Sequence, residues 1–109
     1  MNNQTAPIKV LFYVQHLLGI GHLRRTATLA RNMVRSGMDV TVVSGGHKID
    51  IDLGGARIVQ LPATRATDLF FKILVDEDGN QIDDEWRARR AEKLLEIWRE
   101  NQPDILMTE

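Results

Sequence analysis

Ile8 to Val14 is an apolar run broken only by Lys9, and it passes through His16 to Arg25, HLLGIGHLRR, into an amphipathic repeat. A short run rich in β-branched and aromatic residues, with no polar alternation, is the pattern of a strand buried on both faces. From Leu23 the apolar positions Leu23, Ala27, Ala30 and Val34 recur at helical spacing, Arg24, Thr28, Arg31 and Arg35 mark another face, and Gly37 supplies a left-handed stop. Asp39 to Ser44, DVTVVS, forms a second strand ended by Gly45 and Gly46. Strand, helix and strand in this order require a right-handed crossover between parallel neighbours. The crossover brings both glycine-bearing loops to the carboxyl edge of the sheet. The expected fold is therefore α/β, a Rossmann-like open and mainly parallel sheet.

The rest of the chain extends this pattern. Ala56 to Leu61 is a weaker third strand followed by Pro62, and Asp68 to Gln81 joins the apolar LFFKILV to the acidic turn DEDGN, as a small hairpin or a lip over a cleft. With Asp83 or Asp84 as N-cap, a helix runs through EWRARRAEKLLEIWRE, burying Ala91, Leu94, Leu95 and Trp98 and closing before Pro103. Asp104 to Thr108 opens as a fourth buried strand. A doubly wound sheet rarely stops on an interior strand. Residues 1–109 are thus expected to be one amino-terminal domain, truncated, of a larger protein.

Composition narrows the function. With 14 Lys and Arg against 15 Asp and Glu the charges nearly cancel, so no global field attracts nucleic acid or an anionic membrane, and any anion site must be local. The absence of cysteine excludes disulfides and thiolate metal sites. No signal-like segment opens the chain and no apolar run reaches membrane-spanning length, so a cytoplasmic protein without a transmembrane segment is expected, with peripheral membrane contact left open.

The loop after the first strand concentrates the chemistry. Gly19 and Gly21 let backbone amides approach a ligand, and the start of the helix aims unpaired N–H groups at the same place. Arg24 and Arg25 stand where the helix dipole is already positive, a conflict that a bound phosphate removes. The alternative is that they splay into solvent or pair with carboxylates such as Asp50, Asp52 or Glu109. His16, His22 and His47 all fall in loops at the carboxyl ends of strands one and two, outside the expected core. A loop histidine is commonly a capping or hydrogen-bonding residue; three at one sheet edge favour a site.

Familiar nucleotide motifs do not fit. Gly19-x-Gly21-x-x-Arg24 is a broken dinucleotide fingerprint, and Ser44-Gly45-Gly46 offers no acid for a ribose, which argues against a dehydrogenase. No P-loop sequence exists. Asp50-Ile-Asp52 has the form of a metal motif but reads as a polar turn. Asp76, Asp78 and Asn80 lack the glycine register and closing glutamate of a calcium loop. Neither a metal nor a cofactor is expected.

Leu11 to Gly46, LFYVQHLLGIGHLRRTATLARNMVRSGMDVTVVSGG, resembles the opening of bacterial glycosyltransferases related to family 28, whose best-known relative adds N-acetylglucosamine to a lipid-linked peptidoglycan precursor. LPATRATDLFFKILVDEDG and PDILMTE fit the same group. The resemblance implies a GT-B architecture of two Rossmann-like domains. The acceptor then lies mainly on the amino-terminal domain, and the nucleotide-sugar donor on a carboxyl-terminal domain missing from this chain. Of the relative's G-G-x-G-G-H loop, Gly21 and His22 are kept and the other glycines only in part, so the same lipid acceptor does not follow. Sugar transfer in such a fold needs a base for an acceptor hydroxyl, and imidazole chemistry makes His22 the candidate, with Glu109 as an alternative base or the group orienting the imidazole. His16, Gly19, Gly21, Arg24 and Arg25 would bind phosphate or sugar hydroxyls beside a wall of Ser44, Gly45 and Gly46. The rival expectations are a non-catalytic phosphate- or nucleotide-binding module and a sugar-nucleotide epimerase fragment.

Overall fold

In a computed structural model, which describes residues 6–17, 20–68 and 73–109, the opening apolar run is strand β1, Lys9–Val14. Helix α1, Gly21–Arg35, begins two positions before Leu23 and ends where Gly37 turns left-handed, φ +93°. Ala27 and Ala30 are fully buried beside Leu23. Their small side chains let the helix lie close on the sheet, where each buried methyl still removes apolar surface from water. Strand β2, Asp39–Ser44, is buried along nearly its whole length, Thr41 and Ser44 included, as a strand between two paired neighbours and covered on both faces is.

Strand β3, Arg57–Gln60, pairs with β2. Two short strands, β4 at Arg65–Ala66 and β5 at Leu74–Val75, form an antiparallel hairpin. The acidic stretch after β5 is a tight turn: Asp76 accepts from the amides of Asp78 and Asn80, Gly79 is left-handed, and Gln81 bridges back to Val75. Of the stretch Leu69 to Val75, residues 69–72 lie outside the described residues; Ile73 is exposed and Val75 buried.

Helix α2, Asp84–Asn101, is capped by the Asp83 carboxylate, which accepts from the Trp86 amide at 2.7 Å. Asp84 and Glu85 in its first turn complement the dipole. Gln102, at φ 47°, turns the chain out before Pro103. The chain then enters β6, Ile105–Thr108.

The four main strands form one parallel sheet in the order β3-β2-β1-β6. The chain winds one way from β1 through β2 to β3, then returns over α2 to place β6 on the other side of β1. This reversal defines a switch point at the carboxyl ends of β1 and β6, where open α/β sheets form their crevice. Val10, Phe12, Val14, Val40 and Val42 face α1, whereas Leu11, Val43 and Leu61 face α2 with Ile97.

Two expectations are corrected. The buried side of α2 carries Trp86 and Ile97, with Leu94 half-buried; Ala91, Leu95 and Trp98 are exposed. Charged residues all round this helix leave its apolar face poorly marked, and the sheet selects a neighbouring one. Among the described residues β6 pairs on one side only, and Ile105 and Leu106 are exposed where a buried strand was expected. Among the described residues no helix is long and apolar enough to cross a membrane.

Candidate functional site

Four segments deliver side chains to the carboxyl edge of the sheet. Strand β1 leads to Gln15 and His16, the start of α1 brings Gly21, His22, Arg24 and Arg25, β2 leads to Gly45, Gly46 and His47, and β6 to Glu109. The backbone locks the last of these in place. The Glu109 amide donates to the Tyr13 carbonyl at 2.9 Å, and the Gln15 amide donates to the Glu109 carbonyl at 3.3 Å.

Glu109 and His22 meet across the switch point, with Oε1 of the carboxylate 3.1 Å from Nδ1 of the imidazole. Arg25 approaches the same oxygen, its Nε at 2.7 Å. The carboxyl of Glu109 is held below its ordinary pKa chiefly by the His22 hydrogen bond, which outweighs desolvation, with the Arg25 and His22 charges adding to it. When Nδ1–H donates to Glu109, Nε2 is the lone-pair nitrogen. His22 is more than half exposed, so that nitrogen is open to solvent.

Arg25 is therefore taken up by a carboxylate of the chain, the alternative to a phosphate contact that its sequence position left open. Arg24 is exposed, and its amide joins the helix ladder through the Ile20 carbonyl. Ile20 provides no side-chain cap and the first turn of α1 has no acid. Gly21 has no left-handed φ, and a Cβ there would meet nothing within 4 Å. It is thus the first residue of the helix and not a sharp turn, and the space above it is open. Gly19 lies outside the described residues.

His16 departs most from expectation. Instead of an accessible loop residue it is 1% exposed, with neither ring nitrogen finding a hydrogen-bond partner among the described residues. Its ring packs edge-on against His47, centroids 4.9 Å apart. Burial lowers its pKa below 6.5, helped by the His47 charge and opposed by a weak interaction with the His47 backbone. The imidazole is held neutral inside the protein, and its closeness to the end of a buried strand is the one feature of the sequence that points there. Gly46 is glycine because a Cβ would run into this ring, and a Cβ at Gly45 would run into Arg90 and Gln15. Ser44 is buried, its carbonyl accepting from the Leu61 amide and from Gln60. Ser44, Gly45 and Gly46 thus pack the floor beneath the loops and do not line an open wall.

Beyond them lies a cleft of about 540 Å³ lined by His47, Lys48, Gln60, Thr64, Arg65 and Glu77 among others. Sequence reading noted His47 and missed the others, which come together only through the β4–β5 hairpin. Asp52 accepts from the Gly54 amide as a turn residue, and among the described residues no cluster of three potential metal ligands occurs. No protein-family model, curated protein or solved structure matches the chain.

Proposed function

We propose that this chain is the acceptor-side, amino-terminal domain of a GT-B glycosyltransferase related to family 28, moving a sugar from a nucleotide donor to an acceptor hydroxyl. The observation that carries the reading is the His22–Glu109 contact at 3.1 Å, made at the crevice where β6 reverses the strand order. It joins the candidate base to a carboxylate 87 positions away.

In this reading His22 Nε2 takes the proton of the acceptor hydroxyl as its oxygen forms the new bond to the anomeric carbon. The bond from that carbon to the donor's diphosphate breaks, and its electron pair leaves with the diphosphate. Glu109 holds the tautomer with Nε2 unprotonated and steadies the imidazolium that forms. Arg25 fixes the Glu109 carboxylate. The open amides at the start of α1, with Arg24 beside them, face the side where negative charge develops or where sugar hydroxyls bind. The donor is held by a second domain, so residues 1–109 alone are expected to turn over no sugar nucleotide.

The test begins with a thermal-shift screen of sugar nucleotides against the two-domain protein, followed by acceptor assays with the hit. His22→Ala is expected to lower the transfer rate about 10²–10⁴-fold, the usual contribution of a general base, while donor affinity stays near that of the parent. Glu109→Gln should give a smaller loss. Unchanged transfer in His22→Ala removes His22 as the base, and turnover by residues 1–109 alone removes the two-domain assignment.

A further inference from the structure

Trp86, Arg90, Leu94 and Ile97 recur along α2 at helical spacing, and this is the stripe that meets the sheet. Trp86 and Ile97 are buried, and Arg90 lies half-buried between them. A cation on an inward stripe is costly unless something compensates its charge. Its protein partners are all neutral. Nη2 donates to the Tyr13 hydroxyl at 2.5 Å and to Gln15 Oε1, and the guanidinium carbon lies 5.4 Å from the Trp86 ring and 5.8 Å from the Tyr13 ring.

No carboxylate completes the set. Arg25, Arg57, Arg87 and Arg89 pair with Glu109, Asp39, Asp84 and Glu85, whereas Arg90 makes no ion pair among the described residues. The residues outside the description contain no Asp or Glu. Nη1 and Nε make no hydrogen bond among the described residues. Gly45, lacking a Cβ, leaves the room that the guanidinium occupies.

The arginine opens on a groove of about 350 Å³ between α2, β1 and the β4–β5 hairpin, within the size range of small-molecule sites. Tyr13, Leu74, Ile82, Trp86 and Leu94 are among its lining, and Arg87, the other cation there, is already paired with Asp84. An apolar trough with one uncompensated guanidinium matches a molecule that is apolar along its length and anionic at one end. We infer that this groove binds an amphiphilic organic anion, its hydrocarbon or aryl body against Trp86 and Leu74 and its carboxylate or phosphate monoester on Nη1 and Nε of Arg90. The inference goes beyond sugar transfer and stands whether or not that reading holds.

Decanoate and decyl phosphate, kept below micelle formation, are titrated into the purified protein by calorimetry and tryptophan fluorescence, beside decanol, decyltrimethylammonium and inorganic phosphate. Both amphiphilic anions should saturate at one per chain, and the emission change should persist in Trp98→Phe, which leaves Trp86 as reporter. Decanol and decyltrimethylammonium should bind about ten-fold more weakly or worse, the worth of a charged hydrogen bond, and inorganic phosphate should not saturate. Arg90→Gln should erase the preference for decanoate over decanol. Because loss of Arg90 can disturb the Tyr13–Gln15 contacts, Ala91→Glu, at an exposed helix position on the same groove, places a competing charge there without touching them. It should cut anion binding while decanol binding stays. Equal binding of decanoate and decanol, non-saturating uptake, or anion binding unchanged in Ala91→Glu or in a folded Arg90→Gln overturns the inference; binding of anionic vesicles alone does so as well.

Discussion

The two faces of the sheet are built differently. Under α1 the core is closed: Val10, Phe12, Val14, Val40 and Val42 meet Leu23, Ala27 and Ala30, and Leu53 from the loop after β2 seals one side. Under α2 Leu11, Val43, Leu61, Trp86 and Ile97 are buried, but an arginine sits on the packing stripe, and Leu95, Trp98 and Leu106 remain exposed. The first face holds the fold together. The second leaves apolar surface exposed and a guanidinium half-buried among the described residues.

The sharpest way to break this contrast is to remove volume from each face. Phe12→Ala, at 1% exposure in the closed core, is expected to cost about 3–5 kcal/mol in urea unfolding, enough to unfold a marginal domain. Ile97→Ala, in the thinner core, should fall near the lower end of the range for such truncations, about 2 kcal/mol. Equal losses would show the α2 face to be as tightly built as the other.

An intermediate effect is expected from pH. The folded-state pKa of His16 lies below its unfolded value of about 6.5, so the unfolded chain binds the proton more readily. Stability from this group is complete above that value and is lost as pH falls from it through the lower folded-state pKa. Melting temperature should therefore drop on acidification from neutral pH, and His16→Phe should flatten the drop. Glu109 has the same sign in a more acidic window, its stabilising contacts with His22 and Arg25 fading as pH falls below the ordinary carboxylate range. An undiminished pH response in His16→Phe would place the linkage elsewhere.

Smaller effects should come from the α2 boundary and surface. Asp83→Ala removes the acceptor for the Trp86 amide and should cost about 1 kcal/mol. Leu95→Ser, at 51% exposure, should change stability by no more than about 0.5 kcal/mol. A larger loss would mean that Leu95 is covered in solution.

These contrasts also explain which parts of the molecule are legible in the chain. β1, α1 and β2 follow from a dense apolar pattern whose period changes cleanly from strand to helix and back, with boundaries within two residues. The Asp83 cap was legible for the same kind of reason, since one side chain and one amide settle it locally. The rotation of α2 was not. Its charges surround the helix, so several faces are nearly equivalent until the sheet selects Trp86, Arg90, Leu94 and Ile97. Had that stripe been aligned on Trp86, the inward arginine was there to be seen.

Of the candidate site, the residues at the carboxyl edge were readable as a group because the crossover rule brings the two glycine-bearing loops together. Their separate fates were not. Whether Arg25 meets a carboxylate, whether His16 lies inside or outside, and whether Gly45 and Gly46 serve a ligand or their neighbours all depend on contacts between distant segments.

Local pattern, then, determined the strand–helix–strand unit, the helix cap and the acidic turn, since each needs only neighbours in the chain to satisfy its backbone and bury its apolar face. The tertiary structure alone decided that β6 returns beside β1, bringing Glu109 to His22, and that Arg90 lies half-buried with no ion pair among the described residues. Both are outcomes of strand order and helix rotation. Those are fixed by the summed burial of two faces, which no short stretch of sequence contains.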